Sequence, residues 1–136
     1  MAVEALVVRR RVKAAPARVF EAWTSADALK RWWGPAGVSC PDARVDLRVG
    51  GAYAIANQTP HGLVWIRGEF EAVEPPDRLV YSWQLGDGDI ERVIVRFKAT
   101  DGGTEVVVEH EDIADPAARD EHEQGWIGCL DGLVEL

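Results

Sequence analysis

The chain has 136 residues, 47% of them hydrophobic, and a formal net charge of −8 from 23 acidic against 15 basic residues. A chain of this length is one domain and buries a core without disulfide or metal staples. The acidic balance argues against a nucleic-acid partner, because phosphate binding relies on Lys and Arg, and no run approaches the ~20 apolar residues that span a bilayer.

Residues 3–13 alternate, with Leu6, Val8 and Val12 on one side and Arg9, Arg11 and Lys13 on the other. This predicts a strand with one wet face, and the run Arg9-Arg10-Arg11 is read as that face rather than as a binding patch. The same segment has only short apolar stretches and no cleavage pattern, so it does not read as a signal peptide. Pro16 suits a first helical turn, and Val19, Phe20 and Trp23 follow at helical spacing over about two turns. Thr24 or Ser25 then caps a second helix, with Asp27 in its first turn and Leu29, Trp32 and Trp33 as its stripe. Gly34-Pro35 stops it. One tryptophan of the pair is expected to pack inward with Leu29, and Trp33 to stand at the mouth of a cavity.

From Asp42 to Asp112 turn signals recur, among them Gly50-Gly51, Pro75-Pro76-Asp77 and Gly86-Asp87-Gly88. The β-rich segments between them predict about six strands in an antiparallel meander. Asp115-Pro116 opens a last helix that runs to the C-terminus, with Trp126, Leu130 and Leu133 as its stripe. Gly125, Gly128 and Gly132 inside it each cost up to about 1 kcal/mol of helix propensity, so they call for a reason: close approach to the sheet, or room for a ligand. Cys40 and Cys129 lie far apart without CxxC spacing, which points to free thiols and a reducing, cytoplasmic setting.

This order of elements, with these residues, resembles a known family. The stretches "APARVFEAWTSADALKRWWGP", "DLRVGGAY", "GEFEAVEPPDRLVYSW", "VIVRF", "TEVVVEH" and "HEQGWIGCLDGLVEL" are similar to those of the START-like (SRPBCC) superfamily. Within it, the chain looks like the branch named after the activator of the 90-kDa heat-shock protein ATPase. The resemblance implies an α+β helix-grip fold: an antiparallel sheet wrapped around a long C-terminal helix, with two short helices after the first strand. It also implies an apolar cavity under that helix. It does not choose a function, because the superfamily includes lipid carriers, hormone receptors, cyclases and co-chaperones. In the co-chaperone a separate N-terminal domain precedes this one. Here the first strand begins within a few residues of Met1, so a chaperone partner is not expected.

Chemistry is sparse along the chain. No GxSxG, HExxH, GxGxxG or Walker A motif occurs, and neither a catalytic residue, a metal nor a cofactor is expected. His61 reads as a solvated turn residue. His110 ends the last strand on the face of Val106 and Val108, and His122 precedes Trp126 by one helical turn. The two imidazoles can meet across the cavity, with Glu69 or Asp112 as a carboxylate, but their spacing matches no metal motif. Asp87, Asp89 and Glu91 read as a solvated hairpin tip. The residues expected to line the cavity are Trp33, Tyr53, Trp65, Glu69, Tyr81, Trp83, His110, His122, Trp126 and Leu130.

The reading that follows is a binding protein for a small apolar, aromatic or lipid-like molecule. One alternative is a protein-interaction or co-chaperone-like module, with a homodimer across exposed edge strands as its simplest form. The other is a cyclase- or hydrolase-type enzyme, which needs His110 or Glu69 inside the cavity.

Overall fold

The computed structural model of the chain describes residues 4–35 and 37–135. The elements in chain order are β1 (Leu6–Val12), α1 (Pro16–Thr24), α2 (Ala26–Trp32), β2 (Ala43–Val45), β3 (Ala52–Thr59), β4 (Gly62–Glu74), β5 (Arg78–Leu85), β6 (Ile90–Thr100), β7 (Gly103–Glu111) and α3 (Pro116–Val134). The seven strands form one antiparallel sheet in the order β1-β7-β6-β5-β4-β3-β2. From β2 to β7 each strand lies beside the previous one, as short turns require, and β1 closes onto the far side of β7. This is the expected helix-grip architecture.

Side-chain alternation divides the sheet into two faces. On the face toward the helices, Leu6 and Val8 pair across to His110 and Val108, which in turn lie opposite Val93 and Val95. Tyr81 and Trp83 of β5 continue this face opposite Val93 and Glu91. One glycine is needed for it to close: a Cβ on Gly68 would stand 1.9 Å from the Ser82 carbonyl oxygen and 2.8 Å from the Tyr53 ring. The Tyr53 ring lies over that gap, and its hydroxyl donates to the Ser82 carbonyl at 2.6 Å.

The helices fill the concave side. α2 is capped by the Ser25 hydroxyl, which accepts from the Ala28 amide at 3.2 Å. It ends one residue earlier than its stripe implies: Trp33 is already extended, at φ −70° and ψ 139°. Gly34 then takes φ +126°, where a Cβ would meet the Val38 carbonyl oxygen at 2.4 Å. The chain therefore turns Trp33 away from the helical course of Leu29 and Trp32. Both tryptophans are buried, and Trp32 Nε1 donates to the Ala22 carbonyl at 2.9 Å.

α3 begins under the Asp115 carboxylate, which accepts from the Ala118 amide at 2.9 Å. It buries Trp126, Cys129, Leu130 and Leu133. At Gly132 a Cβ would stand 2.3 Å from the Trp32 carbonyl oxygen, so this glycine permits close approach to α2 rather than to the sheet. Arg10 shares the inward side of β1 and pairs with Asp131 of α3. Cys40 and Cys129 are buried free thiols. Among the described residues, no helix is long and apolar enough to cross a membrane.

Candidate functional site

Three neighbouring strands and the helix above them bring five side chains together. Strand register sets Trp83 opposite Glu91 and Val93 opposite His110, so the carboxylate and the imidazole are diagonal neighbours on the inward face. α3 supplies His122 and, one turn later, Trp126. Glu91 Oε1 lies 2.7 Å from His110 Nε2 and 3.1 Å from His122 Nε2. The two imidazoles stack at 4.8 Å with 17° between their planes. Trp83 meets both edge-on, at 4.6 and 4.9 Å.

The tautomer of His110 follows from its partners. Trp126 Nε1 lies 3.0 Å from His110 Nδ1, and an indole nitrogen is a donor only. Nδ1 therefore accepts, and a neutral ring carries its proton on Nε2, aimed at Glu91. Burial, and then the neighbouring His122, pushes the His110 pKa down to about 3, in keeping with a ring that stays neutral. Burial pushes Glu91 up to about 7, with Asp89, Asp112 and Asp115 adding repulsion. Burial also lowers the His122 pKa, against the pull of Glu121 and Asp115. A carboxylate between two imidazoles is a donor set that zinc accepts, and the three ligand atoms lie within 4.8 Å of one another. The Trp126 donor opposes this use. It takes up the Nδ1 lone pair, so Nε2 keeps its proton and has no lone pair for a metal.

Beside this cluster lies a cavity of about 170 Å³ between the sheet and α3. Its buried walls are Trp33, Asn57, Ile66, Trp83, Trp126 and Cys129, and the exposed Leu85 and Glu121 and half-buried Pro35 stand at its rim. Trp33 Nε1 donates to Asn57 Oδ1 at 2.9 Å, which fixes both side chains in the wall. His122 belongs to the lining as well, so it is where the titratable cluster meets the cavity. Gly125 also borders it, and a Cβ there would meet no atom within 4 Å.

The residues expected at the cavity separate into groups. Trp33, Trp83, His122 and Trp126 border it. His110 lies behind His122, fully buried, and Leu130 is sealed in the core. Tyr53 and Tyr81 are in a different aromatic group with Phe70, and Tyr81 accepts from Trp23 Nε1 at 3.3 Å. Trp65 and Glu69 are corrections: they lie on the outer face of β4, opposite in parity to the buried Ile66 and Phe70. There the guanidinium groups of Arg44 and Arg67 cover the Trp65 ring at 5.8 and 5.3 Å. Glu91 is also a correction. Asp87 and Asp89 are exposed at the hairpin tip as expected, but Glu91 is buried and supplies the carboxylate sought from Glu69 or Asp112. Its signal was parity, because it shares a face with Val93, Val95 and Phe97. Asn57 and Cys129 were not anticipated in the wall.

The family model described as Activator of Hsp90 ATPase homolog 1-like protein matches residues 13–136. Among solved structures, a protein from Chromobacterium violaceum is similar at 23% identity and a TM-score of 0.88, over 97% of this chain and 95% of that one. The AHSA1 protein from Silicibacter pomeroyi is similar at 25% identity and a TM-score of 0.84, over 96% and 95%. CalU16 from Micromonospora echinospora is similar at 26% identity and a TM-score of 0.76, over 95% of this chain and 73% of that one. No curated protein matches.

Proposed function

The chain belongs to the Activator of Hsp90 ATPase homolog 1-like family, and from that premise we propose that it binds a small apolar or aromatic molecule in the cavity between the sheet and α3. The observation that carries this is the wall itself: three indoles held in fixed orientations around a space that Gly125 leaves open. At about 170 Å³ the space is below the ~300–1,000 Å³ of sites for drug-sized ligands, so the ligand has one or two rings. His122 and Asn57 are the polar groups that orient it. Activation of an ATPase, which the family's name describes, is not part of this proposal. A net charge of −8 speaks against a nucleic-acid partner.

Titration with a series of one- and two-ring aromatics, followed by tryptophan fluorescence, tests the reading. Saturable binding is expected, and it should weaken at least about tenfold in Gly125→Leu, which fills the space without a backbone clash. Binding untouched by Gly125→Leu, or no binding by any of the series, overturns the proposal. Native mass spectrometry of freshly purified protein adds a second readout: an extra mass that is absent from Gly125→Leu identifies a retained ligand.

A further inference from the structure

We propose that the cavity is also a proton-transfer site, in which His122 is the base that faces the bound molecule and Glu91 and His110 hold it in place. This rests on the cavity being a ligand site, and it adds a reaction to it. His122 is the one member of the Glu91–His110–His122 cluster that lines the cavity. Its Nε2 is at Glu91. Its Nδ1 bonds to no described residue and is not among the buried atoms that lack a partner, so it is the nitrogen open to a ligand. Nε2 lies on the Glu91 side, 3.1 Å from Oε1, and the tautomer with its proton there carries the lone pair on Nδ1. A carboxylate behind an imidazole is the arrangement that fixes the tautomer of a general base and stabilises the imidazolium it becomes.

His110 has a different task. Its Nδ1 is occupied by the Trp126 N–H, so it exchanges no proton with the cavity. It donates to Glu91 and fixes the carboxylate toward His122. Glu91 and His110 are therefore positioning residues. Trp83 has no part in the transfer: its indole forms part of the wall, but its Nε1–H is buried without an acceptor among the described residues, which costs stability and keeps it from the ligand.

The chemistry needs no co-reactant. His122 Nδ1 removes a proton from an activated C–H; the C–H electron pair forms a new π bond, and the carbonyl π pair moves to oxygen or the bond to a leaving group breaks with its pair. The imidazolium that forms lies beside the Glu91 carboxylate, which stabilises its charge. Return of the proton to another atom completes an isomerisation; loss of a leaving group completes an elimination. The substrate class is a small apolar or aromatic compound with one acidic C–H.

A nitrobenzisoxazole is a suitable probe. It is a flat two-ring aromatic whose single acidic C–H, once removed, opens the ring: the C–H pair forms the nitrile, the N–O bond breaks and its oxygen becomes the coloured phenolate of the same molecule. We expect saturable turnover that falls about 100-fold or more in His122→Phe. Glu91→Gln keeps the hydrogen-bonding shape and removes a buried charge, so it folds. It should retain binding, lose at least about tenfold in kcat, and lose the rise in rate through about pH 7 that ionisation of Glu91 gives the native protein. The groups that face this titration are Asp89 on the β5–β6 hairpin, Asp112 and Asp115 after β7, His110 on β7 and Glu121 on α3. Binding without turnover above that of free imidazole overturns the inference and leaves the ligand site standing. So does a kcat and pH profile unchanged in Glu91→Gln. Turnover that requires added zinc overturns it in favour of a metal site. Failure of the whole aromatic series to bind removes the ligand site and this inference together.

Discussion

At Gly125 and Gly132 the same residue type does opposite things seven positions apart in one helix. A Cβ on Gly125 meets nothing within 4 Å, whereas one on Gly132 would stand 2.3 Å from a backbone oxygen of α2. Both glycines cost the helix conformational entropy. Only at Gly132 does packing explain the cost, and at Gly125 the space belongs to the cavity. Gly125→Ala should therefore stabilise the protein by about 0.5–1 kcal/mol, while Gly132→Ala should destabilise it by about 1–3 kcal/mol because α2 has to shift. Urea midpoints of the two variants check this. Equal and favourable shifts in both would mean that α2 and α3 are not in close contact.

α3 is the element on which the site depends, because it carries His122 and Trp126 over strands that carry Glu91, His110 and Trp83. Its start is fixed by Asp115, whose carboxylate accepts from the Ala118 amide. Asp115→Ala should cost about 1 kcal/mol in an unfolding experiment, and hydrogen exchange should rise first in the turn before His122. The boundaries of such elements were readable in the sequence: Pro16, Ser25, Gly34-Pro35 and Asp115-Pro116 each mark a helix end, and the turn signals separate the strands. The strand faces were half-readable. Alternation grouped Tyr81 with Trp83 and Val93 with Phe97, but it does not say which group a helix covers. Strand parity places Trp65 and Glu91 where residue type alone does not. An indole beside Arg67 and Glu69 belongs to a wet face, and a carboxylate two residues before Val93 belongs to a dry one. Trp33, expected at the cavity mouth, is a buried part of its wall, and the break of α2 that turns it there depends on a backbone turn that spacing does not show.

On the scale of the whole molecule, the buried cluster makes stability depend on pH in a way that can be worked out. His110 has its pKa lowered from 6.5 to about 3 in the fold. Between those values the unfolded chain takes up a proton that the folded chain refuses, so stability falls as pH falls below 6.5. His122 is lowered too and acts in the same direction. Glu91 is raised from 4.5 to about 7. Between those values the folded chain holds the extra proton, so stability falls as pH rises toward 7. Between pH 4.5 and 6.5 His110 and Glu91 oppose each other proton for proton, and the lowered His122 tips the balance toward lower stability on acidification. Above 6.5 only Glu91 acts. The cluster thus favours the fold most near pH 6.5, and less on either side. Glu91→Gln removes the cluster's penalty on a rise in pH toward 7. It should be more stable than the native protein at pH 8, by about 1–3 kcal/mol, and should lose stability more steeply on acidification from 6.5 to 4.5. Thermal melts of both proteins from pH 4 to 8 measure this. Parallel curves would mean that Glu91 is not the buried, proton-holding member of the cluster, and the acid–base assignment of the cavity would fail with it.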